Sequence, residues 1–175
     1  AATSGGSAAG SAAGSAAGLR APAPVTAAAV EGRYETILTV EALDAWITRL
    51  RAAPLAALDT ETDSLDPMAA RIVGISFAVR PGEAAYVPLR HDHPDAPAQL
   101  DLDDTLTRLR PWLEDASAPK VGQNLKYDTH VFLNHGITVR GWAHDTLLQS
   151  YVLEAHRPHS LESLAERHLG RRGLS

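Results

Sequence analysis

The stretch Leu55–Pro67, "LAALDTETDSLDP", constrains this chain more than any other. Its first residues form a continuous apolar run of strand length, as expected for a β-strand covered on both faces. The run then breaks into Asp59 and Glu61. On an extended chain residues i and i+2 point the same way, roughly 6.5 Å apart, so the two carboxylates project together from the strand end. Carboxylates that close repel, and each favours a proton or a cation between them. Taken alone, the pair is compatible with solvated surface or with part of a site for a hard cation such as Mg²⁺ or Mn²⁺.

Other segments surround this strand. "YETIL" (34–38) reads as a short strand. Thr39 is placed to cap a helix whose apolar face is Leu43, Trp46, Ile47 and Leu50, stopped by Pro54. "RIVGISFAV" (71–79) and "EAAYVPL" (83–89) read as strands joined by a Pro81–Gly82 turn. A helix follows with Leu102, Leu106, Leu109 and Leu113 on one face. "KVGQN" (120–124) is a short strand, and "LKYDTHVFLNHG" a helix closed by Gly136. "ITVRGWA" reads as a strand, "DTLLQSYVLEA" as a helix capped by Asp145, and "SLESLAERHLG" as a helix running from Ser160 to Gly170. In this last helix Leu161, Leu164, Ala165 and Leu169 are expected to face inward. Three antiparallel strands followed by helix–strand alternation predict an α/β domain around a mixed sheet. Residues 1–29, with "SAAG" repeated three times and then "LRAPAPVTAAA", read as a flexible linker. The folded domain is expected over residues 30–175.

The net charge of −5 argues against a basic wrapper of nucleic acid, but not against an enzyme that grips a strand through cations held by carboxylates. The absence of cysteine excludes disulfides and thiolate metal sites. No apolar run reaches membrane-spanning length.

A second acidic position bears on the first. In "VGQNLKYDTH", Asn124 and Asp128 are spaced i, i+4 near the start of a helix entered from a short strand. Asp128 either answers the helix dipole or joins a site at the sheet end. Elsewhere His91 and His93 in "RHDHPDAP" are two apart, yet without a third soft ligand they read as loop rather than a zinc site, as do His156 and His159. Arg167, Arg171 and Arg172 form a modest basic cluster, read first as a solvated helix end. Trp112 and Trp142 read as packing.

"LDTETDSLDP", "VGQNLKYD" and "DTLLQSYVLEA…SLAERHLG", in this order, resemble the proofreading 3′–5′ exonuclease domain of bacterial DNA polymerase I. That family belongs to the DEDD exonuclease superfamily, and the resemblance runs from about residue 33 to the C-terminus. It implies a ribonuclease-H-like mixed sheet flanked by helices, incomplete at the C-terminus. It further implies that Asp59, Glu61 and Asp128 are catalytic, metal-binding carboxylates for two divalent cations, Mg²⁺ or Mn²⁺, with Zn²⁺ as an alternative. Thr60, Leu65, Gln123, Asn124 and Tyr127 would contact the 3′-terminal nucleotide.

The implied partners are a single-stranded or frayed DNA 3′ end and the polymerase and 5′-nuclease domains of one polypeptide. The implied setting is a monomer in the bacterial cytoplasm, associated with the nucleoid. The family's fourth carboxylate, an Asp with a Tyr four residues before it, belongs to a helix beyond the matched segment. The sequence ends at Ser175, so the expectation is a chain weakly active or inactive alone, with Asp145 an N-cap and not a substitute ligand. A DEDD ribonuclease and a non-catalytic scaffold beside a polymerase are the alternative readings.

Overall fold

Thr39 starts the first helix as expected: its hydroxyl accepts a hydrogen bond from the Ala42 amide at 3.2 Å. In the computed structural model, which describes residues 32–171, helix α1 then spans Val40–Ala52. The expected linker at residues 1–29 lies outside the described residues, as does Arg172. Leu43, Trp46, Ile47 and Leu50 are the buried face of α1. Each such side chain contributes about 1.5–3 kcal/mol of apolar burial. The Trp46 indole is not left unpaired, because it donates to Glu35 at 2.8 Å and ties α1 to strand β1 (Arg33–Thr36).

Strands β2 (Ala56–Thr62), β3 (Ile72–Arg80) and β4 (Glu83–Pro88) form the expected antiparallel centre. Gly82 makes the turn between the last two with φ of 78°, a conformation most side chains resist. Helix α2 (Leu102–Leu113) buries Leu106, Leu109, Trp112 and Leu113. Then come β5 (Lys120–Gly122), α3 (Leu125–Asn134), β6 (Trp142–Asp145), α4 (Thr146–Glu154) and α5 (Leu161–Leu164). The six strands lie in the order β1-β4-β3-β2-β5-β6, with β1–β4, β2–β5 and β5–β6 parallel. Sheet and helices are thus mixed as the sequence predicts.

Strand β2 departs from the both-faces expectation. Ala56, Leu58 and Thr60 are buried, while Asp59 and Glu61 are exposed and Ala57 is half-buried. The run looks continuous only because alanine counts as apolar on either side of the pleat. The buried side joins Ile75, Phe77, Ala85 and Val87 in the core, where the Phe77 ring meets Trp112 edge-on at 5.9 Å. Among the described residues the other side stays partly open, as a cleft of about 410 Å³ lined by Ala57, Asp59, Ser76, Gln123, Thr146 and Leu161.

Two further segments differ from expectation. "ITVRGWA" is not one strand. Ile137 and Val139 enter the core as irregular chain, and Gly141 turns at φ of 77°, so the ladder begins only at Trp142. The last helix is a single α-turn followed by a π-helical turn, Ala165–Leu169. Leu161 and Leu169 do not face inward but are 59% and 51% exposed. Ser160 and Gly170 do bound the segment as expected, through a hydroxyl cap and a φ of 65°.

Candidate active site

Asp59 and Glu61 stand on the open face of β2, as their period-2 spacing predicts. Their partners across the ladder are Ser76 and Gly74. The Asp59 carboxyl is raised above the usual carboxylate range, first by partial burial and then by the charge of Glu61. Asp128 approaches the same strand end from the buried side. It is 2% exposed and accepts a hydrogen bond from the Thr60 hydroxyl at 2.6 Å. Burial pushes its carboxyl up to about 6. The Thr60 bond opposes that shift, and the nearby Asp59 charge adds to it.

The sign of this shift sets a pH dependence for the metal-free protein. A carboxyl whose folded-state pKa exceeds its unfolded value of 3.8 makes the folded chain bind protons more tightly. The Asp128 contribution to stability is therefore fullest below pH 4, falls as pH rises towards about 6, and is flat above. The Asp128 contribution is at most about 3 kcal/mol. Urea unfolding across this range in the presence of chelator checks it. Asp128→Asn should remove most of the slope, and an unchanged slope would assign it to other groups.

The other predicted residues divide into two groups. Thr60, Gln123 and Tyr127 are structural ties within the site. The Gln123 amide donates to the His159 carbonyl at 2.9 Å and accepts a short bond from the Thr146 hydroxyl, while lining the cleft beside Asp59. The Tyr127 hydroxyl donates to the Ser64 carbonyl at 2.5 Å and shares a second short bond with Thr62. It thereby roots the loop that follows β2. This loop is closed by Asp63, which accepts from the Arg71 amide at 2.8 Å, and by Asn134, which donates to Pro67 and Ala70 carbonyls. At its crest Leu65 is 95% exposed and Met68 68%.

Asn124 does not share a helix face with Asp128, contrary to the i, i+4 reading. It precedes α3 in the left-handed region at φ of 62°, with its side chain making no cap. Asp145 performs that service from another element. It accepts from the amides of Asn124 (3.1 Å) and Leu125 (3.0 Å) at the start of α3, and of Leu147 (2.9 Å) and Leu148 (3.3 Å) in α4. Sequence reasoning identified the cap but not its double duty, because Asn124 is 21 residues away.

His91 is tied to the Tyr86 hydroxyl, and His159 to Ser150 and Gln123. Arg167 pairs with Glu154 at 2.8 Å and donates to the Pro158 carbonyl. Trp112 is core and Trp142 half-buried.

The donor set consists of hard carboxylate oxygens, and burial and neighbouring charge disfavour the bare charges of Asp59 and Asp128, which suits a divalent cation. Among the described residues, no three His, Cys, Asp or Glu side chains close into a metal-holding group. The fit therefore rests on Asp59 and Glu61 as direct donors, with Asp128 contributing charge from behind through its Thr60-held carboxylate.

The mixed sheet flanked by helices is of the ribonuclease-H-like class, and the family whose pattern the chain matches is one of hydrolytic nucleases. The chain belongs to the 3′–5′ exonuclease family, of the kind carried by DNA polymerase I, whose family pattern matches residues 34–174. It is similar to a DNA polymerase I of Pseudomonas aeruginosa, with 49% identity over 140 residues, covering 78% of this chain and 15% of that protein. Among solved structures it resembles the POL domain of Pol1 from M. smegmatis in complex with DNA primer-template and dNTP. There the TM-score is 0.64 at 23% identity, over 80% of this chain and 23% of that one. It also resembles Escherichia coli RNase D, an exoribonuclease, with a TM-score of 0.58 at 24% identity over 79% of this chain and 34% of that one. These two establish the fold. Dependence on divalent metal goes with the family. Among the described residues no helix is long and apolar enough to cross a membrane.

Proposed function

We propose that the chain is the proofreading exonuclease module of a DNA polymerase I-type enzyme, acting on a single-stranded or frayed DNA 3′ end. The observation that carries this reading is the paired Asp59 and Glu61 on the open strand end, with Asp128 charge-coupled to Asp59 from the buried side. The 49% identity to a DNA polymerase I supports DNA over RNA as substrate.

In this reading Asp59, Glu61 and Asp128 serve two divalent cations, Mg²⁺ or Mn²⁺, with Zn²⁺ as an alternative. When bound, such ions ease deprotonation of a water and stabilise the departing oxygen. The water oxygen attacks the terminal phosphorus, the bond to the penultimate 3′ oxygen breaks, and a nucleoside 5′-monophosphate leaves. Leu65, exposed at the loop crest, packs its apolar side chain against the terminal base, a sequence-tolerant contact. Tyr127 holds that loop to α3. Thr60 holds Asp128, Gln123 borders the cleft where the strand enters, and Asn124, at the start of α3, contacts the terminal nucleotide.

Residues 1–29 are the linker and residues 30–175 the exonuclease unit, operating beside polymerase and 5′-nuclease domains of one monomeric, cytoplasmic polypeptide. The test is hydrolysis of matched 3′-labelled DNA and RNA single strands with Mg²⁺ or Mn²⁺. The expected result is weak, metal-dependent release of mononucleotides by this chain alone, with DNA degraded at least about tenfold faster than RNA, a difference of about 1.4 kcal/mol. Faster turnover of RNA would favour a ribonuclease. No metal-dependent turnover and no carboxylate-dependent Mn²⁺ binding would favour a scaffold.

A further inference from the structure

The open face of the sheet carries a second cluster beside the carboxylates. Across the ladder Asp59 opposes Ser76, which opposes Tyr86, and Glu61 opposes Gly74, which opposes Pro88. Residues directly opposite share a face, so Tyr86 rises on the same side as Asp59 and Glu61. Its ring leans over Gly74, where any Cβ would collide with the ring and hydroxyl. Neighbouring strands lie about 4.8 Å apart, so the hydroxyl sits one strand from the Glu61 backbone. Partial burial, and then the Glu61 charge, raise the Tyr86 hydroxyl above its usual range.

The hydroxyl is fixed from the far side. It lies 2.6 Å from His91 Nε2. The His91 backbone is clamped by the Gln99 side chain, which accepts from its amide at 2.8 Å and donates to its carbonyl at 2.7 Å. The His91 ring also packs at 5.8 Å from Tyr86 and 5.9 Å from His93. A loop histidine held by three side chains, with its Nε2 aimed at a half-buried phenol, is more than solvated surface.

We propose that Tyr86 and His91 form a positioning pair for Glu61. His91 Nε2–H donates to the Tyr86 oxygen, which frees the phenolic proton to donate to the Glu61 carboxylate and steady it as a ligand when a divalent cation is bound. This rests on the reading of Asp59 and Glu61 as metal ligands. Gly74 is part of the device, since only a residue without a side chain lets the ring cross to Glu61.

The test is Mn²⁺ binding to the full chain, followed by electron paramagnetic resonance of the free ion, with Tm measured alongside. Tyr86→Phe keeps the ring over Gly74 and removes only the hydroxyl. It should weaken Mn²⁺ binding about tenfold, the effect typical of losing a partner behind a metal ligand, with little change in Tm. His91→Ala should weaken binding to a similar degree. His91→Gln, which keeps a donor at the Nε2 position, should restore most of it. The Tyr86→Phe/His91→Ala double variant should be no worse than either single one.

Unchanged Mn²⁺ affinity in Tyr86→Phe, with binding abolished in Asp59→Ala, would overturn the positioning pair and leave the metal site standing. Unchanged affinity in Asp59→Ala would overturn the site itself, and the pair with it.

Discussion

Asp59→Ala should lower 3′–5′ hydrolysis by about 10³-fold while leaving the domain folded. Charge stabilisation by a bound divalent ion is worth several kcal/mol at the transition state, and about 4 kcal/mol corresponds to a loss of that size. Asp59 stands on the open face of β2, accessible to solvent although its carboxyl is partly enclosed, and packs nothing in the core, so its removal opens no cavity. The carboxyl is already raised by partial burial and by Glu61, which means its charge is disfavoured in the metal-free chain. The metal-free variant should therefore melt at or slightly above the wild-type temperature. Loss of activity with unchanged or higher Tm is the signature of a ligand and not of a structural residue. Asp59→Asn, which keeps shape but not charge, should behave alike. Activity within tenfold of wild type in either variant, measured with Mg²⁺ and Mn²⁺, would remove Asp59 from the site.

Asp145→Ala should be the most destabilising single change at a polar surface position, by about 3 kcal/mol. One side-chain cap is worth about 0.5–2 kcal/mol, and this carboxylate caps two helices. Its two oxygens take up the first amides of α3 and of α4. Helix α3 has no substitute, because Asn124 makes no side-chain cap of its own. At about 3 °C per kcal/mol for a domain of this size, Tm should fall by about 10 °C. Asp145→Asn, with one acceptor oxygen, should lose about half as much. Since α3 carries Asp128 and Tyr127, activity should drop with stability, yet Mn²⁺ should still bind at low temperature, where the fold persists. A Tm change under about 2 °C would show that water replaces the cap on both helices.

The two variants test features that were unequally legible. The Asp59–Glu61 pair can be read from spacing, because the pleat fixes which residues share a face whatever surrounds the strand. Helix α1 is equally plain: its apolar positions recur at i, i+3, i+4 and i+7, between a Thr cap and a Pro stop. Asn124 and Asp128, by contrast, do not share a helix face despite their i, i+4 spacing. Spacing places two residues on one face only when both lie inside the helix, and Asn124 is held outside it at a positive φ, its amide bonded to the distant Asp145. "ITVRGWA" misleads because Ile137 and Val139 are apolar for the core rather than for a ladder. The final segment misleads because helical spacing of leucines does not tell which side is covered.

By itself, then, the sequence determined most local periods: where most strands and helices lie, where the caps at Thr39 and Asp145 and the turn at Gly82 fall, and that two carboxylates leave β2 together. These follow from covalent geometry and neighbouring side chains. Tertiary structure alone decided what meets those carboxylates. The parallel pairing of β2 with β5 leads the chain into α3 at the strand end, where Asp128 reaches Thr60. Pairing of β3 with β4 carries Tyr86 over Gly74 to the side of Glu61. Both depend on register between segments far apart in the chain, set by the joint packing of a whole sheet face, and no single segment encodes that register.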